Sequence, residues 1–271
     1  MAKRHFKLQY AKDTPRPVSI SGVGEQVGLA FEMLMRGWRE FLPLLICGTI
    51  LSFLTVGTNL AFRETNWVFA VIVTVILWMV SLYFARHMMV GKKVGFRDGL
   101  YNSMGPLIAT MVLFVIAVVE CIPVILLIVA YSAAIATDFL TQPFYIALFI
   151  GFAVFMVLIT GYLLPTTLVA MVAVTAPGVY PWKALKIVSK MMEGRKIDLL
   201  FRLVVMVLVL ALIWVIIMLP VIALKMPEIG IGIVVTVLSC FSVIYVAVYL
   251  YLYYKFLLDV STDKKKRNKK K

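Results

Sequence analysis

PWKALKIVSKMMEGRKIDLLF, residues 181–201, decides the fold. Wound as a helix, its first half puts Trp182, Leu185, Val188 and Met192 on one face and Lys183, Lys186 and Lys190 on another. That is the pattern of a helix lying in a membrane interface, with lysines at headgroup level and apolar groups at the acyl boundary. The chain then runs directly into 199–224, a stretch too apolar to face water. The pairing predicts a chain that rests on the inner leaflet and then turns into the bilayer. Gly194 stands where that turn falls, and glycine admits backbone angles that other residues resist.

The rest of the chain has the same solvent. Of 271 residues, 63% are hydrophobic and 15% charged, with a mean hydropathy of +1.00. A soluble domain of this length could not bury so much apolar surface. Six apolar stretches stand out, at 41–62, 67–85, 106–130, 143–172, 199–224 and 230–258. Each is near or above the ~20 residues that a helix needs to cross ~30 Å of hydrocarbon. The fold class is therefore an all-α membrane protein with six transmembrane helices. The apolar character after Pro106 continues to about Thr137, longer than one untilted span needs, so either a bend near Pro123 or a short helical extension outside the membrane is expected. Some forty mixed residues precede the first stretch, and no cleaved signal peptide is expected.

Charge sets the orientation, because Lys and Arg concentrate on the cytoplasmic side of spanning helices. With six spans, residues 1–40, 86–105, 173–202 and 255–271 share one side and carry 25 of the 27 Lys and Arg. Arg63 and Lys225 alone fall on the other. Both termini are expected in the cytoplasm of a multi-pass protein of the plasma membrane.

The opening pattern recurs. Val27, Phe31, Leu34 and Trp38 repeat at helical spacing ahead of the first span, with Glu25, Glu32, Arg36 and Arg39 off that face. Phe96, Leu100 and Met104, beside Arg97 and Asp98, precede the third span. RGWREF at 36–41 echoes EGRKIDLLF at 193–201, and ECIPVILL at 120–127 echoes IMLPVIAL at 217–224. The organisation expected is three parallel repeats of a cytoplasmic amphipathic helix plus a transmembrane hairpin, at about 20–90, 91–177 and 178–260. A basic cytoplasmic segment, 1–19, precedes this membrane domain (20–260), and a disordered polybasic tail, 261–271, follows it.

WKALKIVSKMMEGRKIDLLF followed by a span ending in LPVIAL resembles the six-helix bacterial integral membrane proteins related to the membrane domain of glycerophosphodiester phosphodiesterases. The likeness covers the third unit best, the first moderately and the second poorly. It implies an all-helical membrane domain without a known catalytic constellation, and no phosphodiesterase activity comes with it. Mitochondrial carriers also have three two-span repeats. Their proline-acid-base signature fails here, since Ile222 stands where the acid belongs between Pro220 and Lys225.

Chemistry is scarce along the chain. Glu120, in VIAVVECIPVILL, is the candidate intramembrane polar site together with Pro123, because ionised side chains are expensive inside a span and often mark ion paths. The bland alternative is a hydrogen-bonded acid capping the break at Pro123 against another helix. Asp138 is expected in solvent beyond its span. His5 and His87 have no carboxylate or cysteine at ligand spacing, and Cys47, Cys121 and Cys240 are isolated, so neither a metal nor a disulfide framework is implied. The cysteines are expected as small buried packing residues. Ala147 with Gly151, and Gly57 with Ala61, are expected where membrane helices approach closely. No nucleophile elbow, phosphate loop or HExxH occurs, and no catalytic residue or cofactor is expected.

The partners expected are membrane lipids. Lys183, Lys186, Lys190, Arg195, Lys196, Arg202, Arg36 and Arg39 are the candidate contacts to anionic headgroups. The tail residues Lys264, Lys265, Lys266, Arg267, Lys269, Lys270 and Lys271 point to acidic partners, inner-leaflet lipid first and ribosomal RNA second, with no sign of DNA. The expected function is non-enzymatic, structural or lipid-organising. A small-molecule or ion transporter using Glu120 is the first alternative, and an insertion factor for membrane proteins with a ribosome-binding tail is the second.

Overall fold

The structure is a computed structural model that describes residues 22–57, 66–92, 94–136, 142–176 and 178–268. Those residues form helices and turns, with no strand among them. In chain order the helices are α1 (Val23–Arg36), α2 (Trp38–Gly57), α3 (Asn66–Met89), α4 (Phe96–Ser103), α5 (Leu107–Glu120), α6 (Ile122–Ala136), α7 (Pro143–Ala173), α8 (Pro181–Met191), α9 (Lys196–Ala223) and α10 (Glu228–Asn268).

Among the described residues five stretches are long and apolar enough to cross a membrane by themselves: Val68–Met89, Leu107–Ala136, Phe144–Ala173, Lys196–Ala223 and Glu228–Val260. α1 and α2 qualify as a sixth only together, and they meet at an 86° bend. These helices fit a multi-pass membrane protein, and they overlap the apolar stretches of the sequence. The far end of the first expected span, 58–62, lies outside the described residues. The break expected at Pro123 falls at Cys121, a single turn residue between α5 and α6. Pro123 has no N–H to return to the carbonyl one turn back, so the ladder opens there.

The chain divides into two compact units, Met1–Leu107 with Val204–Lys271, and Ile108–Leu203. In the first unit α10 is the central helix, packed by α1, α2 and α3. Tyr245, Tyr249 and Tyr253 are fully buried along it. The Gln26 amide of α1, also fully buried, donates through Nε2 to the Tyr249 carbonyl at 3.1 Å. Phe31 meets Tyr245 with ring centroids 4.8 Å apart. The buried face of α1 is therefore Gln26, Ala30, Met33 and Leu34, while Val27 and Phe31 are half-buried and Trp38 is exposed. The expected apolar face is rotated because a polar residue with a satisfied amide belongs inside, a fact hydropathy does not register.

Close approach in this unit relies on glycine. A Cβ on Gly48 of α2 would lie 2.6 Å from Cδ2 of Leu77 in α3. One on Gly99 of α4 would lie 2.3 Å from Cε1 of Phe84. Gly151 of α7, expected as such a position, has nothing within 4 Å, and Ala147 is exposed as well. Both lie on the outward face of their helix. Gly57's side-chain environment and Ala61 lie outside the described residues.

In the second unit α7 packs against α6 and α8. α8 ends at Met191, and the turn before α9 contains Gly194 at φ +75°, the left-handed region expected there. At the other end of the chain the backbone of α10 stays helical through Asn268, where a disordered tail was expected from 261 onward. Lysine and arginine are good helix formers, and adding turns to an existing helix needs no new nucleus.

Candidate functional site

Glu120 closes α5 about 20 Å along the helix from Leu107, near the middle of a stretch about 45 Å long at ~1.5 Å per residue. α7 holds it at two points. Thr160 Oγ1 donates to the Glu120 backbone carbonyl at 3.2 Å, and Thr167 Oγ1 donates to Glu120 Oε1 at 2.8 Å. Thr160 and Thr167 lie two turns apart and so share one face of α7. Both are buried. Glu120 Oε2 is shielded from solvent and has no hydrogen-bond partner among the described residues. The arrangement ties the interrupted helix to its neighbour through two hydroxyl donors, one to the last backbone carbonyl of α5 and one to the Glu120 carboxyl group. Pro123 contributes the break and makes no side-chain bond of its own.

The basic residues divide into free and engaged ones. On α8, Ala184, Val188 and Met192 are buried, and Leu185 is half-buried. Lys183, Lys186 and Lys190 are exposed, as is Trp182 at 73%. Val188 and Met192 thus belong to the protein-packed stripe, and Trp182 alone of the four expected apolar residues faces outward. The stripe follows i, i+4, i+8 from Ala184, because a small residue lets the helix approach.

Arg202 is a correction to the expected headgroup contacts. Its side chain is 7% exposed, and Nε donates to Asp198 Oδ2 one turn earlier at 3.0 Å. A guanidinium placed one turn into an apolar helix finds its acid nearer than the surface. Lys196 Nζ sits 3.7 Å from the centroid of the Tyr162 ring, a cation–π contact. Arg195 is half-buried, and Arg36 pairs with Glu32. Arg39 is exposed, its guanidinium carbon 5.8 Å from the Trp38 ring. The side chains of the seven tail residues lie outside the described residues, as does all of Asp138.

Several polar groups escaped the sequence reading. Trp78 Nε1, Tyr245 Oη and Lys255 Nζ are buried in the first unit without hydrogen-bond partners among the described residues, and Thr166 Oγ1 is so placed in the second. Only mid-span position could have flagged them, and a tyrosine or tryptophan in an apolar run reads as packing. Cys240 is buried with Sγ 3.8 Å from Ser52 Oγ, but Cys121 is half-buried and Cys47 is exposed, contrary to the packing role expected of all three. A cysteine on an outward helix face costs little where the surroundings are apolar. His87 Nδ1 lies 2.9 Å from the Tyr83 carbonyl near the end of α3. No group of three or more His, Cys, Asp or Glu comes together among the described residues.

No protein family, no curated protein and no solved structure matches this chain, so the functional reading rests on its own residues.

Proposed function

We propose that this protein is a non-enzymatic, six-span constituent of the plasma membrane that organises anionic lipid at the inner leaflet. Both termini are cytoplasmic, and the spans form three parallel repeats, each led by an amphipathic helix. The short helices α1, α4 and α8 stand immediately ahead of α2, α5 and α9, which supports the repeat. The side carrying 25 of 27 Lys and Arg supports the orientation.

The observation that carries the lipid reading is the division of α8. One side, Ala184, Val188 and Met192, is buried, while Lys183, Lys186 and Lys190 are exposed together with Trp182. An interfacial helix anchored to its own protein presents its lysines at a fixed depth, so it gathers anionic headgroups and does not merely float on them. Each lysine near an anionic surface is worth roughly 1 kcal/mol, so three amount to about 3 kcal/mol at low salt.

The test is lipid retention. Intact protein in mixed micelles with equal phosphatidylglycerol and phosphatidylcholine is examined by native mass spectrometry. The wild type should retain phosphatidylglycerol preferentially, and replacing Lys183, Lys186 and Lys190 by Gln should reduce that preference about tenfold or more. Unchanged retention would mean that the lysines only set topology.

A further inference from the structure

Next to α4 lies an open pocket of about 640 Å³ lined by Arg97, Asp98, Leu100, Tyr101 and Met104. The helix that forms it is pinned from behind. Gly99 and Ser103 are buried, Phe84 of α3 fills the space that a Gly99 side chain would need, and α4 packs against α3 and α2. The opposite side is left to face outward, with Arg97 and Asp98 exposed and Tyr101 83% exposed. A cation and an anion thus line one pocket, and neither makes an ion pair or side-chain hydrogen bond among the described residues. Leu100 and Met104 are half-buried beside them and supply an apolar wall.

The charges choose the ligand. A purely anionic headgroup would meet the Asp98 carboxylate, and a purely cationic one would meet Arg97. A zwitterion satisfies both, with phosphate on the guanidinium and amine on the carboxylate. Tyr101 stands six residues ahead of Leu107, where α5 begins, and near the start of a span an amphipathic ring marks headgroup depth. A primary ammonium donates hydrogen bonds to a carboxylate, which a quaternary one cannot, and a single aromatic ring does not make a cage for choline. We propose that this pocket binds a phosphoethanolamine headgroup, with the phosphate on Arg97 and the ammonium on Asp98.

The inference rests on the reading of this chain as a lipid-contacting membrane protein but uses different residues from those of α8. Full-length protein is mixed with phosphatidylethanolamine, phosphatidylcholine and phosphatidylglycerol in equal amounts, and bound lipids are counted by native mass spectrometry. Phosphatidylethanolamine should exceed phosphatidylcholine about tenfold or more, the return on one charge-assisted hydrogen bond. Asp98→Asn should erase that preference while leaving phosphatidylglycerol binding intact, and Arg97→Gln should lower binding of ethanolamine and choline lipids alike. The lysine substitutions in α8 should leave the ethanolamine preference unchanged, so failure here and failure there are distinguishable. Soluble O-phosphoethanolamine should compete if the headgroup alone is recognised; competition failing while the lipid preference persists assigns the site to the intact lipid. Equal binding of ethanolamine and choline lipids, or an ethanolamine preference that survives Asp98→Asn, overturns the proposal.

Discussion

Gly48 is the position where a single methyl group has the most to say about the packing of α2 on α3. A Cβ there would sit 2.6, 3.0 and 3.3 Å from Cδ2, Cδ1 and Cγ of Leu77, a side chain only 3% exposed. The third contact is with the branch point, so rotating the leucine terminus does not clear it, and the helices must separate or Leu77 must leave its rotamer. Overpacking of this kind costs about 1–3 kcal/mol. Alanine returns about 1 kcal/mol of helix propensity over glycine, so Gly48→Ala should destabilise by about 1 kcal/mol net. Gly48→Val adds two more methyl groups at the same point and should reach the upper end, about 3 kcal/mol. Gly151→Ala is the matched control: with nothing within 4 Å, it collects only the propensity gain and should be neutral or slightly stabilising. Reversible unfolding of the purified protein in mixed micelles, titrated with denaturing detergent and followed by tryptophan fluorescence, reads all three. Equal effects at Gly48 and Gly151, or a fully stable Gly48→Val, would refute the α2–α3 packing described above.

Trp214 Nε1 donates to Ser242 Oγ at 3.0 Å, linking α9 to α10. A double-mutant cycle of Trp214→Phe and Ser242→Ala in the same unfolding assay should give a coupling of about 0.6 kcal/mol, the usual worth of such a bond between membrane helices. Strict additivity would mean that the bond is not made. At Gly194, held at φ +75°, substitution by Val forces a branched side chain into the left-handed region, which costs about 1–2 kcal/mol. It should show as a lower midpoint than Gly28→Val, where nothing lies within 4 Å and no positive φ is required.

Hydropathy made the spans legible because a helix that crosses lipid must be apolar all round, and that signal needs no knowledge of neighbours. The short helices ahead of the spans were legible for the same local reason. Which side of each helix would be buried was not, since packing, not hydropathy, decided it: Gln26 turns inward on α1, and Ala184 instead of Trp182 leads the buried stripe of α8. Glu120 was conspicuous as an acid in an apolar run. Its partners Thr160 and Thr167 were not, being 40 and 47 residues away and ordinary in a membrane helix. The glycine contacts failed in the same way, because Gly48 and Leu77 meet only once two separate helices are in place. Arg202 shows the opposite error: position near a helix start suggested the surface, and Asp198 one turn earlier captured it.

Orientation underlies the account most directly, because the lipid reading of α8 and the ethanolamine pocket on α4 both need those helices on the cytoplasmic side. The measurement is labelling of single cysteines in intact cells by a membrane-impermeant maleimide, with Cys47, Cys121 and Cys240 replaced by alanine. Cysteines placed at Asn66, Asp138 and Pro227 should react from outside, and those at Lys92 and Lys190 should react only after the membrane is opened. Reaction at Lys190 or Lys92 in sealed cells would contradict the assignment and with it the proposed function.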